Sequence, residues 1–289
     1  MTPGEGFVEA NSLSPPSAGS IRLHYLEWGA DGPPAVLLHA TGFLARLWQP
    51  IAEPLSDRFH VYAFDARGHG DSDKPADGYN WEGIATDLRG FLDELGLRRV
   101  LAIGHSSGAA GTVLLAATHP EYVSAAVLIE PTVFPPQAND SSEQLVAGAA
   151  RRRMVWSSRE ELIRTYRARP TFADWTEDVL RLYAEHGTFR REDGQYELKC
   201  PGRIEAELYR NSISRDAWDL LPGVGCPTLV LRGEHTEEML ALASEGVAAR
   251  IPGARLVTVA GASHFLPMER PQSVLAEIRA FLDGGTASP

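Results

Sequence analysis

The chain alternates short apolar runs with longer amphipathic ones. Ile21 to Trp28 alternates residue by residue, the period of a strand with one buried face. Ala35-Val36-Leu37-Leu38, His60 to Phe64, Val100 to Ile103, Ala125 to Ile129, Thr228 to Leu231 and Arg255 to Val259 are short apolar runs of the kind that form buried strands. Asp31-Gly32-Pro33-Pro34 marks a turn between the first two. Helical spacing covers about Trp48 to Ser56, Trp81 to Leu95 and Pro271 to Leu282; in the second, Ile84, Leu88, Phe91, Leu92 and Leu95 share one side. Strands alternating with helices predict an α/β fold, a mostly parallel sheet of the eight-stranded type with helices on both faces.

From about Val133 to Asp216 the strand pattern stops. Trp156, Leu162, Tyr166, Leu180, Tyr183 and Tyr209 recur there at helix-like spacing. This predicts a helical cap over residues 133–216, inserted into a core formed by residues 1–132 and 217–289. Most of the cap's aromatics are expected to be its own core, and Arg151-Arg152-Arg153 reads as a solvated helix face.

The composition narrows the function. Hydrophobic residues make up 44% and charged residues 22%, enough for a sizeable core, and the formal net charge of −11 disfavours nucleic acid and anionic membrane surfaces as partners. Two cysteines, Cys200 and Cys226, supply neither a disulfide framework nor metal-ligand spacing. The first twenty residues are polar and contain no secretory apolar stretch. The expectation is a cytoplasmic protein without metal or cofactor, acting on a small molecule, with a homodimer as the candidate assembly.

The chemistry centres on Gly104-His105-Ser106-Ser107-Gly108. An apolar strand running into a glycine-flanked serine, with a small-residue helix behind it, forces a sharp turn that lifts the hydroxyl clear of the sheet. Bulky residues at Gly104 or Gly108 would clash, and the first N–H groups of the helix face the same spot, ready for an oxyanion. A serine still needs a base. Of nine histidines, His264 is the best placed, in a Gly/Ala/Ser loop between the last strand and the last helix.

With these motifs the chain resembles the α/β-hydrolase superfamily from Ile21 to Leu282. The resemblance rests on His39-Ala40-Thr41-Gly42-Phe43, on Asp65-Ala66-Arg67-Gly68-His69-Gly70-Asp71-Ser72-Asp73-Lys74-Pro75, on the serine motif and on Gly261-Ala262-Ser263-His264-Phe265. It implies Ser106 as nucleophile, His264 as base and an oxyanion hole made by the N–H groups of Ser107 and Thr41, with Gly42 in reserve. Relatives usually carry glycine where Ala40 stands. His39 and His69 are expected to prop this loop, and Asp65 reads as structural. The acid that orients His264 is open between Glu130, which ends a buried strand, and Glu237, in a loop where relatives place an aspartate and this chain has none. Phe43, His105, Phe134 and Trp156 are the candidates for substrate contact.

A serine nucleophile sets the chain apart from relatives that attack with aspartate. The expected activity is hydrolysis of a carboxylic ester or lactone through an acyl-enzyme. The alternatives are C–C bond hydrolysis of a diketone-like substrate and small-molecule binding with little catalysis.

Overall fold

The structure, a computed structural model, describes residues 2–11, 19–135, 142–211 and 215–284. Parts of the expected cap (136–141 and 212–214) and residues 12–18 lie outside the described residues. The strands are β1 (Gly4–Asn11), β2 (Ser20–Trp28), β3 (Pro34–Leu38), β4 (His60–Phe64), β5 (Val100–His105), β6 (Val123–Ile129), β7 (Val155–Trp156), β8 (Thr188–Arg190), β9 (Tyr196–Leu198), β10 (Thr228–Gly233) and β11 (Arg255–Val259). Eight of them form one sheet in the order β1-β2-β4-β3-β5-β6-β10-β11. The pairings of β1 with β2 and of β2 with β4 are antiparallel, and the rest are parallel.

Period-two alternation divides the apolar strands between two cores. Val36, Leu38, Tyr62, Phe64, Ala102, Leu128 and Val230 face the helices Trp81–Glu94 and Ser107–Thr118. Leu37, Val61, Ala63, Ile103, Val127, Leu229 and Leu231 face the helices Gln49–Leu55 and Pro271–Asp283. Both faces of the central strands are thus covered, which is why they read as continuous apolar runs rather than as alternation. Strand β1 is absent from the hydrophobic pattern for the opposite reason. It lies at the sheet edge and buries only Val8 and Ala10.

Between β6 and β10 the chain forms the helices Ser142–Ala150, Arg159–Arg167, Pro170–Ala173, Glu177–His186, Gly202–Arg210 and Arg215–Leu220. The cap is not purely helical: β7, β9 and β8 make a small antiparallel sheet. Strands of two or three residues are too short to leave a period in the sequence. Helix starts within the cap are set by side chains, with Ser158 accepting from Glu161 N–H and Thr176 from Val179 N–H. The insert packs on the core through a shared cluster in which cap residues such as Trp175, Leu180 and Tyr183 meet Phe43, Leu44, Leu47 and Met268.

Candidate active site

Strand β5 is buried throughout and ends at the turn that carries Ser106. Ser106 has φ 54° and ψ −113°, a conformation that costs a non-glycine residue energy and marks a functional turn. Its N–H donates to the Ile129 carbonyl at 2.9 Å, and its hydroxyl forms no capping bond to the helix it precedes. The flanking glycines are there for close approach. A Cβ on Gly104 would stand 2.4 Å from the Gly108 carbonyl, and one on Gly108 would stand 2.4 Å from the Leu38 carbonyl. Gly108→Ala is therefore expected to cost about 3 kcal/mol, a melting temperature lower by roughly 6–12 °C in a calorimetric scan. An unchanged melting temperature would refute this account of the turn.

His264 lies in the loop between β11 and the short helix Leu266–Glu269, with Nδ1 3.2 Å from Glu130 Oε2. Glu130 is fully buried at the end of β6 and holds φ 48°, again outside ordinary backbone for a side-chain-bearing residue. Its Oε1 accepts from Gly233 N–H at 2.7 Å and its Oε2 from the Thr236 hydroxyl at 2.8 Å, so every partner of this carboxylate is a donor. Glu237 is exposed and occupies the N-cap position of the helix Glu238–Arg250. The structure therefore brings Glu130 to the histidine and leaves Glu237 away from it.

The loop carrying His264 is clamped on several sides. Glu269 accepts from both the N–H and the hydroxyl of Ser263 at 2.6 Å, and Glu234 accepts from Gly261 N–H at 2.8 Å. The Nε2–H of His105 donates to the His264 carbonyl at 2.8 Å. His105 is wholly buried, and this bond holds the backbone of His264. Glu269, Thr236 and Gly233 carry no motif that would have marked them in the sequence.

The loop after β3 is braced by two imidazoles. His39 Nδ1–H donates to the Ala40 carbonyl at 2.8 Å and its Nε2 accepts from Ala66 N–H at 2.9 Å. His69 Nδ1–H donates to the Arg67 carbonyl, and its Nε2 accepts from Gly42 N–H, both at 2.9 Å. Gly42 thus spends its N–H on His69, which removes it as a reserve oxyanion donor. Phe43 N–H is spent on the Ala40 carbonyl. Thr41 N–H makes no hydrogen bond among the described residues, and Ser107, first in its helix, has no intrahelical acceptor for its N–H. Asp65 is structural. It accepts from Ala45 N–H, Asp71 N–H and His24 Nδ1–H, and these partners together with the charge of His24 outweigh burial to hold its carboxyl well below the usual range.

These braces predict an acid-sensitive fold. Burial lowers the pKa of His39, pushes His69 down to about 3 and takes His105 well below its ordinary value, with neighbouring histidines adding to the last two. The unfolded chain takes up protons below pH about 6.5 that these folded imidazoles refuse, so stability falls as pH drops through that value. A histidine held neutral throughout that range contributes a slope of up to roughly 1.4 kcal/mol per pH unit. His24 runs the other way. Burial alone would lower its pKa, but the hydrogen bond and charge of Asp65 raise it, so its stabilisation is full below pH 6.5 and fades above. The melting temperature is expected to fall steeply from pH 6.5 to 5, and equal values at both ends of that range would contradict the burial of these three rings in neutral form.

The cap and two loops of the core share an aromatic cluster. Phe43 packs edge-on to Trp175 (5.2 Å between centroids), Tyr183 (6.0 Å) and Phe265 (5.8 Å). Trp156 is fully buried against Tyr166, beneath Arg153, and shares one apolar cluster with Phe43 and Trp175. Phe134 is half-buried in the segment leading from β6 into the cap. Arg152 also departs from expectation. Arg151 and Arg153 are exposed, but Arg152 donates to Glu205, Tyr166 and Tyr183 close above Gly42. A three-arginine run does not disclose which member turns inward.

His24, Asp65 and Asp71 offer ligand atoms within 4.8 Å of one another. They are already committed, Asp65 to His24 and to Asp71 N–H, and Asp71 to Lys199 at 2.5 Å, so the group reads as a loop brace.

A strand–serine–helix turn, a histidine after the last strand and a buried carboxylate on the strand between them define a hydrolase of the α/β class. The chain belongs to the alpha/beta hydrolase family, whose model matches residues 35–278. It is 31% identical over 270 residues to 2-(acetamidomethylene)succinate hydrolase of Mesorhizobium japonicum, covering 92% of this chain and 93% of that one. The crystal structure of E-2-(acetamidomethylene)succinate hydrolase superposes with a TM-score of 0.82 at 27% identity, covering 96% of this chain and all of that one. The enol-lactonase of Burkholderia xenovorans superposes with a TM-score of 0.73 at 25% identity, over 91% of this chain and 97% of that one. No helix among the described residues is long and apolar enough to cross a membrane.

Proposed function

We propose that this hydrolase cleaves a carboxylic ester or lactone through an acyl-enzyme on Ser106. The observation that carries the reading is the Glu130–His264 pair, with the carboxylate fixed by Gly233 and Thr236 and the His264 backbone tied to His105, the residue before a serine held in a strained turn. Glu130 fixes the His264 tautomer with hydrogen on Nδ1, leaving Nε2 to take the Ser106 proton as Oγ attacks the carbonyl. The N–H groups of Thr41 and Ser107 receive the oxyanion. His264 then passes its proton to the leaving alkoxide as the C–O bond breaks. Water, deprotonated by His264, attacks the acyl-enzyme and releases the acid and free Ser106.

A second reading has its own support. The relative aligned over nine-tenths of both chains is named for a substrate with an acetamido group, and the same machinery serves an amide if His264 protonates the departing nitrogen. Release of p-nitrophenol from short and medium acyl esters, set beside ring opening of lactones and deacylation of N-acyl enamines, separates the two. Turnover of esters or lactones supports the first reading, and turnover confined to the N-acyl compounds replaces it with the second. No turnover of any of them would leave the proposal without support.

A further inference from the structure

Two members of the site are set by the sheet and the third is not. Ser106 follows β5 and Glu130 follows β6, and these strands pair through His105 and Ile129. Ser106 N–H continues that pairing by donating to the Ile129 carbonyl at 2.9 Å. Strand register therefore fixes the nucleophile and the acid against each other. His264 stands in the loop after β11, outside any strand, and its ring bond to Glu130 is 3.2 Å long. A charge-assisted bond is usually shorter, roughly 2.7–2.9 Å, so Glu130 alone is a loose hold on the base. A tighter bond runs to its main chain: His105 Nε2–H donates to the His264 carbonyl at 2.8 Å and joins this loop to β5.

The fold alone gives little reason for a histidine at this position. Its ring is fully buried, and Nδ1 is sealed from solvent with no hydrogen-bond partner among the described residues. Burial, with the nearby His264 adding to it, keeps the ring neutral, so its single N–H lies on Nε2 and faces the carbonyl. An orphaned ring nitrogen in the interior costs stability, which marks the ring as kept for what its other nitrogen holds. The two rings lie 5.2 Å apart between centroids, so a shift of one is felt by the other. We propose that His105 is a positioning residue for the base: its Nε2–H ties the His264 main chain to the strand that delivers Ser106, and so sets the alignment of the two side chains for attack. This rests on the serine-hydrolase reading above. In this role His105 neither gives nor takes a proton.

Three variants separate the bond from the bulk of the ring. His105→Phe keeps a ring without a donor, His105→Asn carries an amide too short to reach the carbonyl, and His105→Gln carries one of about the right length. In His105→Phe and His105→Asn, kcat per folded molecule is expected to fall roughly 10- to 100-fold with KM within about twofold of the parent, because misalignment acts on attack and not on binding. The rate at which a fluorophosphonate labels Ser106 should fall by a similar factor, whatever substrate the enzyme turns over. His105→Gln should recover most of both losses. If His105→Phe does not fold, the contrast between His105→Asn and His105→Gln decides the matter. Parental kcat and labelling in the variants without the bond overturn the proposal, as does an equal loss in His105→Gln. A raised KM with kcat unchanged also overturns it, and would make His105 a substrate contact instead. If Ser106→Ala is inactive while those variants keep parental rates, only the positioning role fails. If Ser106→Ala keeps its turnover, the underlying reading fails instead.

Discussion

Ser106→Ala is expected to lower kcat by a factor on the order of 10^5 to 10^6 while leaving the melting temperature within about 1 °C of the parent. The hydroxyl caps nothing, so its removal should cost the fold little. The strained backbone at this position is imposed by Gly104, Gly108 and the Ile129 carbonyl, and none of them changes. A fluorophosphonate probe should label the parent once per chain and the variant not at all. Turnover by Ser106→Ala within tenfold of the parent would end the nucleophile assignment, whatever the substrate.

Glu130→Gln should give the second largest effect, a loss in kcat of roughly 10^3 to 10^4. The reason is the donor count around the carboxylate. Gly233 N–H, the Thr236 hydroxyl and His264 Nδ1–H all point at it, and an amide must turn its own N–H groups towards at least one of them. The mismatch either turns the imidazole to the wrong tautomer or breaks the hold of the loop after β10. It should also cost about 1–3 kcal/mol of stability through an unsatisfied buried donor. Glu237→Gln, at an exposed position, should behave like the parent in both assays. A result with the two glutamates exchanged would move the acid to the later loop and leave Glu130 a structural residue.

The sequence discloses most of the frame and the centre of the site, because both rest on local pattern. Buried parallel strands write themselves as apolar runs, and the serine turn needs two glycines at fixed offsets. What stays hidden depends on partners distant along the chain. Strand β1 buries too little to show a period, and β7 to β9 are too short to have one. The choice between Glu130 and Glu237 turns on where a side chain ends up across 134 residues of separation, which composition around either glutamate does not encode. His105 sits beside Ser106 in sequence but ends β5, with its ring buried against the His264 carbonyl, whereas Ser106 leaves the strand in a strained turn. Arg152 differs from its two neighbours only in what the cap folds against it. Glu269 looks like any helical glutamate until Ser263 is seen to close on both its oxygens.

Glu130 is followed at once by Pro131 and the segment that enters the cap, whereas an acid in the loop after β10 would lie beyond the cap's return. In a recombination experiment this sets where the seam can fall. A cap borrowed from a relative must be joined after Val133, which is buried in the core, so that the left-handed backbone at Glu130 travels with the recipient. Grafts cut even a few residues earlier exchange Glu130 along with the cap, and would confuse a change of substrate with the loss of the partner of His264. Chimeras cut after that point alter what enters the site and leave intact what happens there.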